Sequence, residues 1–138
     1  MINLVVNITY SSQRKLSVEE FISILNRSGL AEGRPVSDIP RLEKMLKHGT
    51  VLITVWDDEL LVGVGRTITD YSFCSYMSDL AVDKNCQRQG IGKIIIDITR
   101  EIIGKDVMLL LVSAPAANIY YAKVGFVKMD RAWIMMPD

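Results

Sequence analysis

The stretch that most constrains this chain runs from Leu80 to Lys93 and reads Leu-Ala-Val-Asp-Lys-Asn-Cys-Gln-Arg-Gln-Gly-Ile-Gly-Lys. A β-leaning apolar run (Met77, Leu80, Ala81, Val82) gives way to a polar loop that closes on Gly90 and Gly92 and opens into Ile94-Ile95-Ile96. A strand that feeds a helix through such a loop leaves the N–H groups of the first helical turn without intrahelical acceptors. The helix dipole adds about half a positive charge at the same place, and phosphates bind there. Two glycines remove Cβ atoms where a ligand would lie against backbone, and glycine tolerates the positive φ that a tight loop can require. The chain is therefore expected to carry an anion-binding loop between a strand and a helix.

Spacing removes two phosphate motifs. A P-loop needs glycine five residues before its Gly-Lys pair and Ser or Thr after it, but Gln87 and Ile94 occupy those places. The dinucleotide fingerprint needs three glycines and an acid beyond the next strand, whereas this loop has two glycines and sits late in a short chain.

What remains is Gln-x-x-Gly-x-Gly, at Gln87, Gly90 and Gly92, together with Tyr120-Tyr121-Ala122-Lys123-Val124-Gly125-Phe126 beyond a strand-like run. The first is similar to the acetyl-CoA pyrophosphate loop of the GNAT N-acetyltransferase superfamily, and the second resembles that family's Tyr-x-Lys-x-Gly-Phe signature. The resemblance extends loosely from about Val51 to the C-terminus; the first fifty residues carry no diagnostic motif. It implies an α+β fold, a mixed and mostly antiparallel sheet with helices on both faces, in a single domain over residues 1–138. It also implies transfer of an acetyl group from acetyl-CoA to a primary amine by direct attack in a ternary complex. Gly65-Arg66-Thr67, Thr69-Asp70 and Asp79-Leu80 further resemble the plant-type serotonin (arylalkylamine) branch, which makes a small-molecule amine the leading acceptor. A protein lysine or N-terminus as acceptor, or a non-catalytic acyl-CoA-binding module, are the alternatives.

The resemblance also distributes roles. Gln87 and the backbone of Arg88, Gln89, Gly90, Ile91, Gly92 and Lys93 would hold the pyrophosphate; Arg88 and Lys93 could add charge, although a solvated surface is the ordinary place for both. Leu80, Ala81 and Val82 would pair with the pantetheine arm in the manner of an added strand, and one amide of that segment could face the thioester carbonyl. Tyr121 stands at the family's general acid, against a role as a core tyrosine packed on Phe126. A thiolate with pKa near ~8.5 leaving beside a tyrosine near ~10 makes that proton transfer feasible. An alkylammonium near ~10.4 faces a handicap of about 4.6 kcal/mol at pH 7, so a base is wanted. Asp79 is the nearest carboxylate, but strand alternation sends it to the face opposite Tyr76, Ser78 and Leu80 unless a bulge intervenes, and a structural cap is its rival role. Failing Asp79, a water held by Ser78, Tyr76 or backbone carbonyls would serve. Many relatives carry Asn where Ala114 stands, and Asn118 could replace its contact with the cofactor. Asp70, with Tyr76 and Ser78, could receive the amine, although a hairpin loop explains Asp70 equally. Cys86 has no positioned base, so a covalent cysteine mechanism lacks support.

Composition closes other routes. Sixteen basic and sixteen acidic residues give a formal charge of zero, leaving no electrostatic footprint for nucleic acid or an anionic membrane. The N-terminus has no basic leader and no apolar run approaches ~20 residues, so a cytoplasmic protein is expected. Two cysteines and one histidine indicate neither a disulfide framework nor a metal site. A homodimer is allowed for, though no residue requires one.

In chain order, residues 2–10 read as an edge strand, and Ser17 to Glu20 as a capping box opening a helix with Phe21, Ile24 and Leu25 inward. A second helix from Asp38 to Lys47 presents Ile39, Leu42, Met45 and Leu46. Val51–Trp56 and Leu60–Ile68 form a hairpin thinned by Gly63 and Gly65, and Cys74–Val82 adds a third antiparallel strand. The helix after the loop shows Ile91, Ile94, Ile95, Ile98 and Ile102 on one face. Val107–Val112 reads as a strand covered on both sides, residues 116–123 as a short helix, and Phe126–Met136 as one or two terminal strands.

Overall fold

The computed structural model describes residues 7–138, so residues 2–6 of the expected edge strand lie outside the described residues. A five-stranded mixed sheet runs in the order β1 (Ile8–Ser11), β2 (Val51–Asp57), β3 (Leu60–Thr69), β4 (Cys74–Val82), β5 (Met108–Leu111). The first three pairings are antiparallel and the last is parallel. Helices α1 (Val18–Ser28) and α2 (Ile39–His48) cover one face; α3 (Ile91–Ile103) and α4 (Asn118–Lys123) cover the other. This is the α+β architecture that the motifs imply.

Alternation along β2 splits the core in two. Val51, Ile53 and Val55 meet Ile91, Ile95 and Ile103 of α3, while Trp56 joins Phe21, Ile24, Leu25 and Leu42 under α1 and α2. α1 begins where expected: Ser17 Oγ accepts from Glu20 N at 3.1 Å, Glu20 Oε1 accepts from Ser17 N at 3.1 Å, and left-handed Gly29 ends it. Gly63 and Gly65 do more than thin the hairpin. A Cβ on Gly65 would overlap Ile95 Cγ2, and one on Gly63 would lie 3.2 Å from Ile91 Cγ2, so these positions let α3 lie directly on the sheet.

Four expectations are corrected. The buried seam of α3 is Ile91, Ile95, Thr99 and Ile103, with Ile96 beside it, whereas Ile94 and Ile102 are exposed. Thr99 escapes an apolar count, yet its hydroxyl donates to Ile95 O at 2.7 Å and is satisfied inside the core. In α2 only Leu42 is fully buried, and Ile39 in the first turn is exposed. β5 is not covered on both sides: Met108 and Val112 are exposed and Leu109–Leu111 are half-buried. Phe126–Met136 forms no strand, because an extended segment becomes one only by pairing, and β5 has β4 as its partner on one edge only.

Candidate active site

β4 pairs with β5 only over Cys74–Met77, opposite Met108–Leu111. Beyond Met77 the two strands part, and a cleft of about 590 Å³ opens between Ser78–Val82 and the segment Leu111–Ala117, with Tyr121 in its wall. Strand geometry fixes which backbone groups face it. Asp83 N, just past β4, donates to Val62 O at 2.9 Å, so the odd-numbered residues Asp79 and Ala81 of β4 turn their N–H and C=O toward β3. Leu80 and Val82 turn theirs toward the side that β5 has left. The Val82 carbonyl takes a hydrogen bond from Gln87 Nε2 at 3.1 Å, which ties the loop to the strand edge.

The loop is built by local bonds. Asp83 Oδ1 accepts from Asn85 N at 2.9 Å, and Asp83 Oδ2 pairs with Arg27 at 2.6 Å. Buried Cys86 packs into the core, and its burial pushes the thiol upward. Arg88 and Gly90 both adopt positive φ, 65° and 82°. Gly90 caps α3 without a side-chain bond, and the first intrahelical bond runs from Ile94 N to Gly90 O at 3.1 Å. The amides of Ile91, Gly92 and Lys93 therefore open into the loop. Lys93 is bound to Asp97 at 2.7 Å on an exposed face of α3. The two glycines differ in their reasons. A Cβ on Gly90 meets open space and is opposed by φ alone, whereas a Cβ on Gly92 would sit 2.8 Å from Tyr120 Oη, so Gly92 lets α4 lie against the start of α3.

Tyr121 projects from α4 into the cleft wall, ring-edge to Phe126 at 5.5 Å and to Tyr120 at 5.3 Å. Burial, then the neighbouring Tyr120, raises its pKa above the ordinary 10.0, so the hydroxyl stays a proton donor. Packing on Phe126 and service as a donor are compatible.

Asp79 takes the other face. A bulge at Ser78 shifts the register so that Arg66 opposes Asp79 while Thr67 opposes Met77; Met77 joins the α3 core and Ala81 the α1 core. The Asp79 side chain has 0% exposure, and Arg34 Nε (2.5 Å) and Arg66 Nε each donate to it. The two arginines also hold the bulge: Arg34 Nη2 donates to Ser78 O at 2.6 Å and Arg66 Nη2 to Ser78 Oγ at 3.0 Å. A carboxylate enclosed by two guanidiniums on the α1 side is a strut, and the geometry removes it from the role of base.

Three further assignments change. Asn118 lines a second groove on the far side of α4, where its Oδ1 accepts from Ser113 Oγ at 3.2 Å, and it does not reach the cleft. Asp70 Oδ1 accepts from the N–H groups of Ser72, Phe73 and Cys74 (2.9, 2.8 and 3.1 Å), which pull its pKa down to about 2 and make it the organiser of the β3–β4 turn. Tyr76 faces the second groove and Ser78 the cleft, so the three candidate acceptor residues are not brought together. Sequence reasoning missed Arg34 and Lys84, which line the cleft from the α1–α2 connection and the loop. Neither sits in a motif that would mark it.

A family model described as an acetyltransferase (GNAT) domain matches residues 18–134. Among solved structures, a protein of unknown function from meticillin-resistant Staphylococcus aureus is 22% identical, with TM-score 0.79 over 95% of this chain and 98% of that one. A GNAT-family acetyltransferase of Streptococcus pneumoniae is 23% identical, with TM-score 0.78 over 95% and 98%. An aminoglycoside acetyltransferase from an uncultured soil sample is 20% identical, with TM-score 0.68 over 94% and 97%. No curated protein sequence matches.

Proposed function

We propose, from the premise that this chain belongs to the acetyltransferase (GNAT) domain family, that it transfers an acetyl group from acetyl-CoA to the primary amine of a small molecule by direct attack in a ternary complex. One observation carries the reading: the unpaired edge of Leu80–Val82 leads straight into a loop whose helix amides are open to an anion. A pantetheine arm can pair with that edge as an added strand while the amides of Ile91–Lys93 take the pyrophosphate.

Acetyl-CoA supplies an activated acyl group on a thiol that leaves readily. The chain's own groups do the rest. Leu80 N–H, which faces the splayed side of β4, stabilises negative charge on the acyl oxygen in this reading. Tyr121, held protonated, supplies a proton to the departing sulfur. An N–C bond forms as the C–S bond breaks; an alkylammonium gives up two protons, one restoring the proton that Tyr121 passes to sulfur and one going to solvent. With Asp79 engaged by Arg34 and Arg66, the proton bound for solvent leaves through water in the open cleft, near the Ser78 hydroxyl.

Calorimetric titration with acetyl-CoA, followed by thiol release across an amine panel, tests the proposal. Saturable binding and turnover on at least one small amine are expected. Binding with turnover only on peptides would make the acceptor a protein. Binding with no turnover on any amine or peptide would leave an acyl-CoA-binding module.

A further inference from the structure

We propose that the acceptor is a monoamine with an apolar body, seated in the groove between β5 and the C-terminal segment, an inference that rests on the acyltransferase reading above. The groove encloses about 680 Å³, within the range of small-molecule sites. It adjoins the cofactor cleft: Leu111, Val112 and Tyr121 line both. A ligand there lies against the same tyrosine that borders the reacting thioester, from the side the pantetheine arm does not use.

Its chemistry is one-sided. Tyr76, Leu110, Phe126 and Trp133 supply apolar and aromatic surface, no Asp or Glu lines it, and Lys128 is its sole charged residue. Lys128 makes no ion pair among the described residues. Trp133 is 96% exposed and Val127 91%, an apolar rim of the kind that marks a binding surface. An apolar body gains by covering that rim. The single ammonium has to shed its proton in order to react and needs no resident counter-ion. A second ammonium would lose water, find no carboxylate and approach Lys128, which disfavours it twice. The groove thus selects against polyamines.

Hexylamine and 1,6-diaminohexane differ by one charge on one chain length, so they isolate the claim. With saturating acetyl-CoA, kcat/KM from thiol release should favour hexylamine and 2-phenylethylamine over 1,6-diaminohexane and spermidine by tenfold or more. Trp133→Ser should raise KM for the monoamines about tenfold and leave acetyl-CoA affinity unchanged, and Lys128→Glu should narrow the hexylamine preference about tenfold. Independently of turnover, 2-phenylethylamine should quench tryptophan fluorescence saturably in the wild type and not in Trp133→Phe, whose remaining Trp56 is buried. Quenching without any acetyl transfer would sink the acyltransferase reading and keep the groove. Preferred turnover of polyamines, an unchanged KM in Trp133→Ser, or absent quenching would overturn the groove. So would light scattering that shows a dimer dispersed by Trp133→Ser with kcat/KM intact, since the groove would then seat a second copy.

Discussion

Asp79 and Tyr121 lie on opposite faces of the sheet, the one a buried carboxylate between two arginines and the other a protonated phenol in the cleft wall, and each yields a test. Asp79 is fully enclosed with Arg66, itself buried, and Arg34. Asp79→Asn removes the charge both guanidiniums face, and breaking a buried pair of this kind costs about 3–5 kcal/mol. Denaturant unfolding should record that loss at every pH from 6 to 9, and activity should fall without selective recovery in alkaline buffer; recovery at high pH in a stably folded variant would return Asp79 to the role of base. Tyr121→Phe should lower kcat by roughly ten to a thousandfold with acetyl-CoA affinity unchanged, the span of a lost proton donor. Because burial raises the Tyr121 pKa, wild-type kcat should show no descending limb due to this group below the ordinary 10.0. Tyr121 was legible from its motif. The fate of Asp79 was not, because its partner Arg34 lies 45 residues away and the bulge at Ser78 leaves no mark in an alternation count.

At the scale of elements, β4 combines two environments along one strand. Ala81 and Asp83 hydrogen-bond toward β3, while Leu80 N–H, among the described residues, has no strand paired to it on the side that β5 has left. In amide exchange followed by NMR, Leu80 should exchange faster than its neighbour Ala81 in the free protein and slow on addition of acetyl-CoA, with Ala81 slow throughout; equal protection of the two in the free protein would mean that the edge is not open. The sheet–helix contact gives a second test. Gly65→Val drives a branched side chain into Ile95, and overpacking of this kind costs about 1–3 kcal/mol, measurable as a lower denaturant midpoint. The strands β2 to β4, the capping box and the glycine loop that opens α3 were readable because each rests on local chemistry: alternation, a Ser–Glu spacing, glycines before an apolar helix. The seam of α3 was misread by one position, since a threonine that bonds to its own helix counts as polar in sequence and as core in the fold. The terminal strands were misread because pairing, unlike propensity, needs a partner that sequence does not supply.

At the scale of the whole molecule, the last part of the chain joins the rest along one short strand pairing and one side of the α3-side core. β1–β4 with α1–α3 hold most of the two apolar cores, whereas β5, α4 and the C-terminal segment attach through four paired residues at Cys74–Met77, through Tyr120 at Gly92, and through Val107, Leu109, Leu111, Tyr121, Val124 and Phe126 on the α3-side core. Elements with few buried contacts open locally at lower free energy than a core hairpin. In exchange measured by mass spectrometry over minutes, peptides from residues 107–126 should exchange well before those from 51–69. A ligand held between Leu80–Val82 and Leu111–Ala117 binds only when both parts are docked, so it opposes that opening. At acetyl-CoA a hundredfold above its Kd the opposition amounts to about 2.7 kcal/mol, or about a hundredfold slowing of residues 107–126, while 51–69, already protected on this timescale, should not change. Slowing confined to the loop at 84–93 would mean that the cofactor touches the anion site alone and that the two parts do not close on it.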